Sequence, residues 1–185
     1  MIPVKITKIS YYSPSKGYAV VLQELSGDRR KLPIIVGSYE AQAIAIANER
    51  MVTPRPMTHD LINNIFREMQ LDVREVVITD LIDGTFYAEI VIDDLRGRSQ
   101  KIDSRPSDAF AVALRMGAQI FVDEEVMREA GILDHSSNEM KYEELQHRYK
   151  DSTRVLEEQL QRAIEEEEYE KAAILRDKIK KLEEK

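Results

Sequence analysis

Residues 73–92 read VREVVITDLIDGTFYAEIVI. Apolar-rich stretches at 73–81 and 86–92 flank Asp83-Gly84, a dipeptide that readily supplies the two positive φ angles of a two-residue hairpin. Working outward, residues 4–9 alternate apolar and polar, and 13–17 form a turn. Stretches 18–25 and 31–36 read as two further strands separated by Ser26-Gly27-Asp28. Residues 38–50 are an alanine-rich helix, and 58–69 form another, with Thr58 as the expected N-cap. After the hairpin, Arg96-Gly97 turns into a short strand at 99–102; a helix at 106–116 and a last strand at 120–122 follow. Hairpins interleaved with helices predict an α+β fold, with a mixed or antiparallel sheet and packed helices rather than a doubly wound one.

The punctuation then stops. All 7 glycines and all 6 prolines lie between Pro3 and Gly131, and neither type occurs at 132–185. Both residues break helices, so their absence marks a change of architecture to an all-α tail. The expected organisation is a first domain at 1–133, a helical linker at 134–155 and a helical hairpin at 156–185. Apolar steps of three and four residues run through Leu156, Leu160 and Ala163, and again through Ala172, Leu175, Ile179 and Leu182. The acidic run Glu165-Glu166-Glu167-Glu168 falls where the hairpin would turn. So short a hairpin buries too little to stand alone. Leu156, Leu160, Tyr169, Ala172, Leu175 and Ile179 are therefore the expected contacts to a helical partner.

Composition excludes several functions. The 185 residues carry 27 Lys and Arg against 34 Asp and Glu, a net charge of -7. That disfavours a protein that coats nucleic acid through bulk charge. With no cysteine, disulfides, thiolate metal sites and cysteine nucleophiles are excluded. No apolar run approaches the ~20 residues of a membrane span. The first residues alternate like a strand rather than a signal peptide, so a cytoplasmic protein without a membrane partner is expected. Glycine-rich phosphate loops and the His-Glu-x-x-His and Gly-x-Ser-x-Gly motifs are all missing.

Two helix starts carry more chemistry. In Arg55-Pro56-Met57-Thr58-His59-Asp60, free backbone N–H groups, an arginine and a histidine form a candidate phosphate site. In Asp103-Ser104-Arg105-Pro106-Ser107-Asp108, proline suits the first helical position. There Ser104, Arg105 and Ser107 suit a phosphate, while Asp103 and Asp108 suit a hard cation such as magnesium. Asp93-Asp94 is a further acidic pair at a strand end. His135 and His147 lie in polar and charged surroundings and read as solvated. A faint internal echo joins two helices: 40–46 and 108–114 both run acid-Ala-x-Ala-aliphatic-Ala-aliphatic. It reads either as close helix packing with acids at helix N-termini, or as two half-units that present Glu40 and Asp108 to one cleft.

Three stretches taken together resemble the bifunctional nuclease domain family over about residues 1–133. These are 32–37 running into Glu40-Ala41, Arg55 to Leu61, and Ser104 to Ala109. The resemblance implies a compact α+β domain, a homo-oligomer, and nuclease activity on RNA and DNA. The tail resembles the UVR motif, through Leu156-Glu157-Glu158-Gln159-Leu160 and the stretch from Glu168 to Ile179. That helical hairpin usually pairs with another of its kind.

The leading expectation is a metal-assisted nuclease. Asp103, Asp108 and Glu40 would hold magnesium, and Arg55, Thr58, Ser104, Arg105 and Ser107 would bind the substrate phosphate. His59 would be the general acid or base, oriented by Asp60, with Asp108 completing the catalytic set. The alternative is a non-catalytic oligomeric adaptor whose tail recruits a DNA-repair or protease-chaperone partner. Composition supports either; the family resemblance puts the nuclease first.

Overall fold

A computed structural model describes residues 1–133 together with Arg176. The chain divides into two units, 1–134 and 135–185. The expected linker and hairpin, with Leu156, Leu160, Tyr169, Ala172, Leu175 and Ile179, lie outside the described residues.

The first unit is α+β. Strands β1 (Ile2–Tyr12), β2 (Gly17–Glu24) and β3 (Lys31–Val36) form a meander, followed by helix α1 (Ser38–Asn48). Helix α2 (Thr58–Glu68) leads to a second meander, β4 (Asp72–Ile82), β5 (Thr85–Asp93) and β6 (Ser99–Ser104), followed by helix α3 (Pro106–Met116). Strand β7 (Gln119–Val122) and helix α4 (Glu124–Ala130) complete the unit. One seven-stranded sheet has the order β3-β2-β1-β7-β4-β5-β6, so the two meanders flank β7 symmetrically. Strand β7 pairs antiparallel with β1 and parallel with β4, which makes the sheet mixed. No helix among the described residues is long and apolar enough to cross a membrane.

The hairpin at 73–92 forms as its sequence dictates. Ile82 pairs with Thr85 across Asp83 (φ 50°) and Gly84 (φ 75°), the positive pair of a type I′ turn. Its inward residues Val76, Ile78, Ala88, Ile90 and Ile92 join the core. Helix α3 lies across β4 and β5, and α1 and α2 pack against it. Its alanines at 109, 111 and 113 are fully buried beside Phe110 and Val112, so both neighbours approach closely.

Local chemistry overturns one expectation and adds a helix. Thr58 is not the N-cap of α2. Met57 occupies that position, and its N–H donates to the Asp60 carboxylate at 2.8 Å. A carboxylate one turn inside the helix is a stronger acceptor than a threonine hydroxyl. Helix α4 was not expected from sequence. Asp123 caps it by accepting from the Glu125 N–H, and Val126, Met127 and Ala130 bury its apolar side.

A nearly buried ion pair ties the helix layer together. Arg115 in the last turn of α3 donates through Nε to Asp60 of α2 at 2.6 Å. Its Nη1 donates to the carbonyls of Ala43 in α1 and Ala111 in α3, each at 3.0 Å. Burial opposes ionisation of Asp60, yet the Arg115 and Met57 hydrogen bonds hold its carboxyl below the usual carboxylate range.

Two outcomes follow from this packing. Gly84→Ala forces a side chain into left-handed backbone and costs about 1 kcal/mol, a fall in Tm of about 3 °C by calorimetry. Asp60→Asn leaves Arg115 as an uncompensated buried charge and costs about 3 kcal/mol at pH 7. Because the folded carboxyl titrates below its unfolded value near 3.8, the pair's contribution is complete above that pH. It is lost as pH falls through the lower folded value, so the stability gap between wild type and variant narrows in acid.

Candidate active site

The first turns of three helices meet at one place. Glu40 is the third residue of α1, His59 the second of α2, and Asp108 the third of α3, whose N-cap is Arg105. Arg105 grips Asp108 with two hydrogen bonds, Nε to Oδ2 at 2.7 Å and Nη2 to Oδ1 at 3.2 Å. Its Nη1 reaches Glu40 Oε1 at 3.4 Å. His59 Nε2 lies 3.1 Å from Asp108 Oδ1. The two acids of the sequence echo thus face a common group, the guanidinium of Arg105. Helix starts carry the positive ends of their dipoles, so three such ends lie near these side chains.

Local sequence explains the approach. Gly37 is the N-cap of α1, and the Glu40 carboxylate folds back over it into the space a Cβ would take. Pro106 begins α3 and holds Arg105 in extended backbone (ψ 146°), directing its side chain out of the helix. Arg105 remains largely exposed, while His59 is mostly covered.

Asp108 is the electrostatic centre. Burial works against its ionisation, but hydrogen bonds from Arg105 and His59 hold the carboxyl below its ordinary value. An ionised Asp108 accepts from the Nε2–H of His59. That fixes the tautomer and leaves Nδ1 as the acceptor of the neutral ring.

Several expected roles change. Asp60 does not orient His59; Asp108 does, while Asp60 belongs to Arg115. Thr58 is exposed at the first position of α2. Ser107 is buried in the first turn of α3, and the Ser104 hydroxyl donates to the Arg105 carbonyl at 3.0 Å. Arg55 is exposed on the segment leading into α2, with no ion pair among the described residues. Asp93 and Asp94 serve the turn before β6, bound to Ser99, Arg96 and Arg98.

The expected magnesium ligands do not fit a metal in this arrangement. Glu40 and Asp108 already share the Arg105 cation, and Asp103 lies on β6 opposite Glu89. Among the described residues no group of three or more His, Asp or Glu side chains could hold a metal ion. Magnesium takes carboxylates that are free to face it.

Sequence reasoning missed Arg115. An arginine in a last helical turn reads as a dipole complement, and nothing local joins it to Asp60, 55 residues away.

Residues 20–135 match the family model of the bifunctional nuclease domain, and residues 150–185 match the UvrB/uvrC motif. An uncharacterized protein of Mycobacterium tuberculosis is 41% identical over 138 residues, covering 74% of this chain and 81% of its own length. Bifunctional nuclease 2 of Arabidopsis thaliana is 26% identical over 187 residues, 92% of this chain and 56% of that protein. Bifunctional nuclease 1 of Oryza sativa subsp. indica is 26% identical over 117 residues, 62% of this chain and 35% of that protein. The chain therefore spans little more than half, or less, of these plant relatives. Glu40, His59, Arg105 and Asp108 all fall within the matched domain, and on the extent of that match the chain belongs to the bifunctional nuclease domain family.

Proposed function

We propose that the first unit is a nuclease that hydrolyses phosphodiester bonds in RNA or DNA. The observation that carries this reading is the meeting of three helix starts around Arg105, His59 and Asp108. On a chain of net charge -7 a phosphodiester binds there by replacing Glu40 and Asp108 at Arg105, next to the positive ends of the helices. The family membership and the names of the plant relatives support the same chemistry.

The residues divide the task as follows. An incoming phosphate competes with Glu40 and Asp108 for the exposed Arg105 guanidinium, which binds phosphate as well as it binds carboxylate. Arg55, without an ion pair among the described residues on the segment leading into α2, adds a second cation for the strand. His59 Nδ1 takes a proton from the attacking water as its oxygen bonds to phosphorus, and the ring then returns a proton to the leaving sugar oxygen. Asp108 holds the ring in its tautomer and stabilises the imidazolium between these steps, as a carboxylate does in a histidine–acid dyad. No step here is routed through a metal.

The match at 150–185 supports a second part of the reading. The tail is a protein-interaction hairpin that pairs with a similar hairpin, on a second copy of this chain or on another helical protein. One observation favours a purely adaptor role for the whole chain: Glu40, Asp60 and Asp108 are all neutralised by arginines, as structural acids would be.

Cleavage of labelled single-stranded RNA and DNA by purified protein separates the two, with magnesium and with EDTA. His59→Ala lowers kcat by about 100-fold or more. Asp108→Asn lowers it at least about tenfold, and circular dichroism of both variants retains the wild-type spectrum. Variants that remain folded and cleave like wild type would leave the adaptor reading in place. The EDTA arm reads whether a divalent cation takes part.

A further inference from the structure

We propose that the open edge of β1 is a docking site for an extended peptide of a partner protein, which joins the sheet as an added strand beside α1. Strand β1 pairs with β7 from Ile2 to Val4, and the Gln119 side chain donates to the Val4 carbonyl at 3.1 Å. Beyond that point β1 runs on to Tyr12 with β2 as its one strand partner among the described residues. Alternate main-chain N–H and C=O groups from Ile6 to Tyr11 therefore point away from β2 with no ladder to join. This free edge is about 20 Å long. A groove of about 370 Å3 lies along part of it. Its floor is Ile6, Thr7, Lys8 and Ile9, four successive residues of β1, and its wall is the side of α1 that carries Ser38, Ala41 and Ala45. Successive strand residues face opposite sides of a sheet. The bulge at Thr7 shifts that alternation by one residue and does not put four on one face. A groove that touches all four thus follows the edge of the strand.

The chemistry of the groove selects its occupant. Donors and acceptors alternating along a strand edge match another polypeptide main chain. Ile6 and Ile9 pack toward the core, so Lys5 and Lys8, both exposed, stand on the opposite face. Neither lysine forms an ion pair among the described residues. A strand with apolar residues toward Ile6, Ile9 and Ala45 and acidic residues toward the two lysines satisfies both faces at once. A phosphodiester strand is disfavoured, because the charged residues of the groove are Lys8 and Glu49, which cancel. The groove also lies away from the Arg105 site, since Ser38 is about 200° around α1 from Glu40. A second copy of β1 is disfavoured for a different reason. Antiparallel pairing of two such edges sets lysines near lysines, and lysines and bulges on an edge oppose the joining of whole sheets. A single peptide carries no second sheet and needs only the space beside α1, which packs on β2 where α3 spans both β4 and β5.

The test uses the full chain and a synthetic peptide of alternating valine and glutamate, acetylated and amidated at its ends. Two further peptides carry N-methyl groups on one or the other alternate set of amides. Calorimetry reads Kd, and NMR reads which main-chain amides of the protein shift. The parent peptide binds with Kd below about 1 mM, and the amides of Ile6 to Ile9 shift. One methylated peptide binds like the parent and the other at least about tenfold more weakly, because one set of amides faces the strand it joins. The double variant Lys5→Glu, Lys8→Glu raises Kd about tenfold. Ala45→Trp, which fills the groove, abolishes binding, and both proteins keep the wild-type circular dichroism. Absence of binding below about 1 mM overturns the proposal, as does equal weakening by the two methylated sets. Displacement of the peptide by a single-stranded DNA oligonucleotide gives the groove to nucleic acid and overturns it too. Shifts of the Ile6 to Ile9 amides on raising protein concentration alone assign the edge to a second copy, with the same consequence.

Discussion

Alanine at 109, 111 and 113 lets the middle of α3 lie buried between the sheet and two other helices. Larger side chains would hold α1 and α2 away, since packed interiors transmit even small changes of volume. With the helices close, Arg115 satisfies a carbonyl of α1, a carbonyl of α3 and a carboxylate of α2 at once. These contacts set the first turns of all three helices side by side. Three polar ends of one sign can be neighbours only if charge of the other sign sits among them, and Glu40, Asp60 and Asp108 supply it.

The balance of that cluster matters more than its net charge. Asp108 serves two cations, gripping Arg105 with both oxygens and holding His59 with one of them. A ligand that takes Arg105 away leaves Asp108 with His59 alone. Asp60, with the same position in its own helix, is kept out of this exchange because Arg115 is nearly buried and cannot turn toward solvent.

The symmetry of the sheet explains the faint echo in the sequence. Each three-stranded meander runs into a helix that has an acid in its first turn and continues in alternate alanines, and β7 joins the two meanders at the centre. The arrangement brings both acids to Arg105, so the echo marks two corresponding helix starts as well as close packing. The helices are not equivalent in burial. Helix α3 bears two neighbours and is apolar nearly all round, whereas α1 bears one and keeps polar residues such as Gln42 and Asn48 at its surface.

Much of this was legible in the chain itself, for reasons that are local. The Asp83-Gly84 turn needs only its own two residues to accept positive φ. The bounds of β3 and α3 follow from a change in periodicity and from Pro106, whose fixed φ and missing N–H suit a first helical position. Gly37, Arg105 and the first-turn acids mark helix starts on the same grounds. What only the tertiary structure decided is which of these ends meet. His59 takes Asp108 rather than adjacent Asp60, because successive residues on a helix point about 100° apart and face different neighbours. Arg115 is an arginine in an ordinary helix until the packing buries it among a carboxylate of α2 and carbonyls of α1 and α3. Pairing and exposure depend on residues far apart in the chain, and no local pattern encodes them.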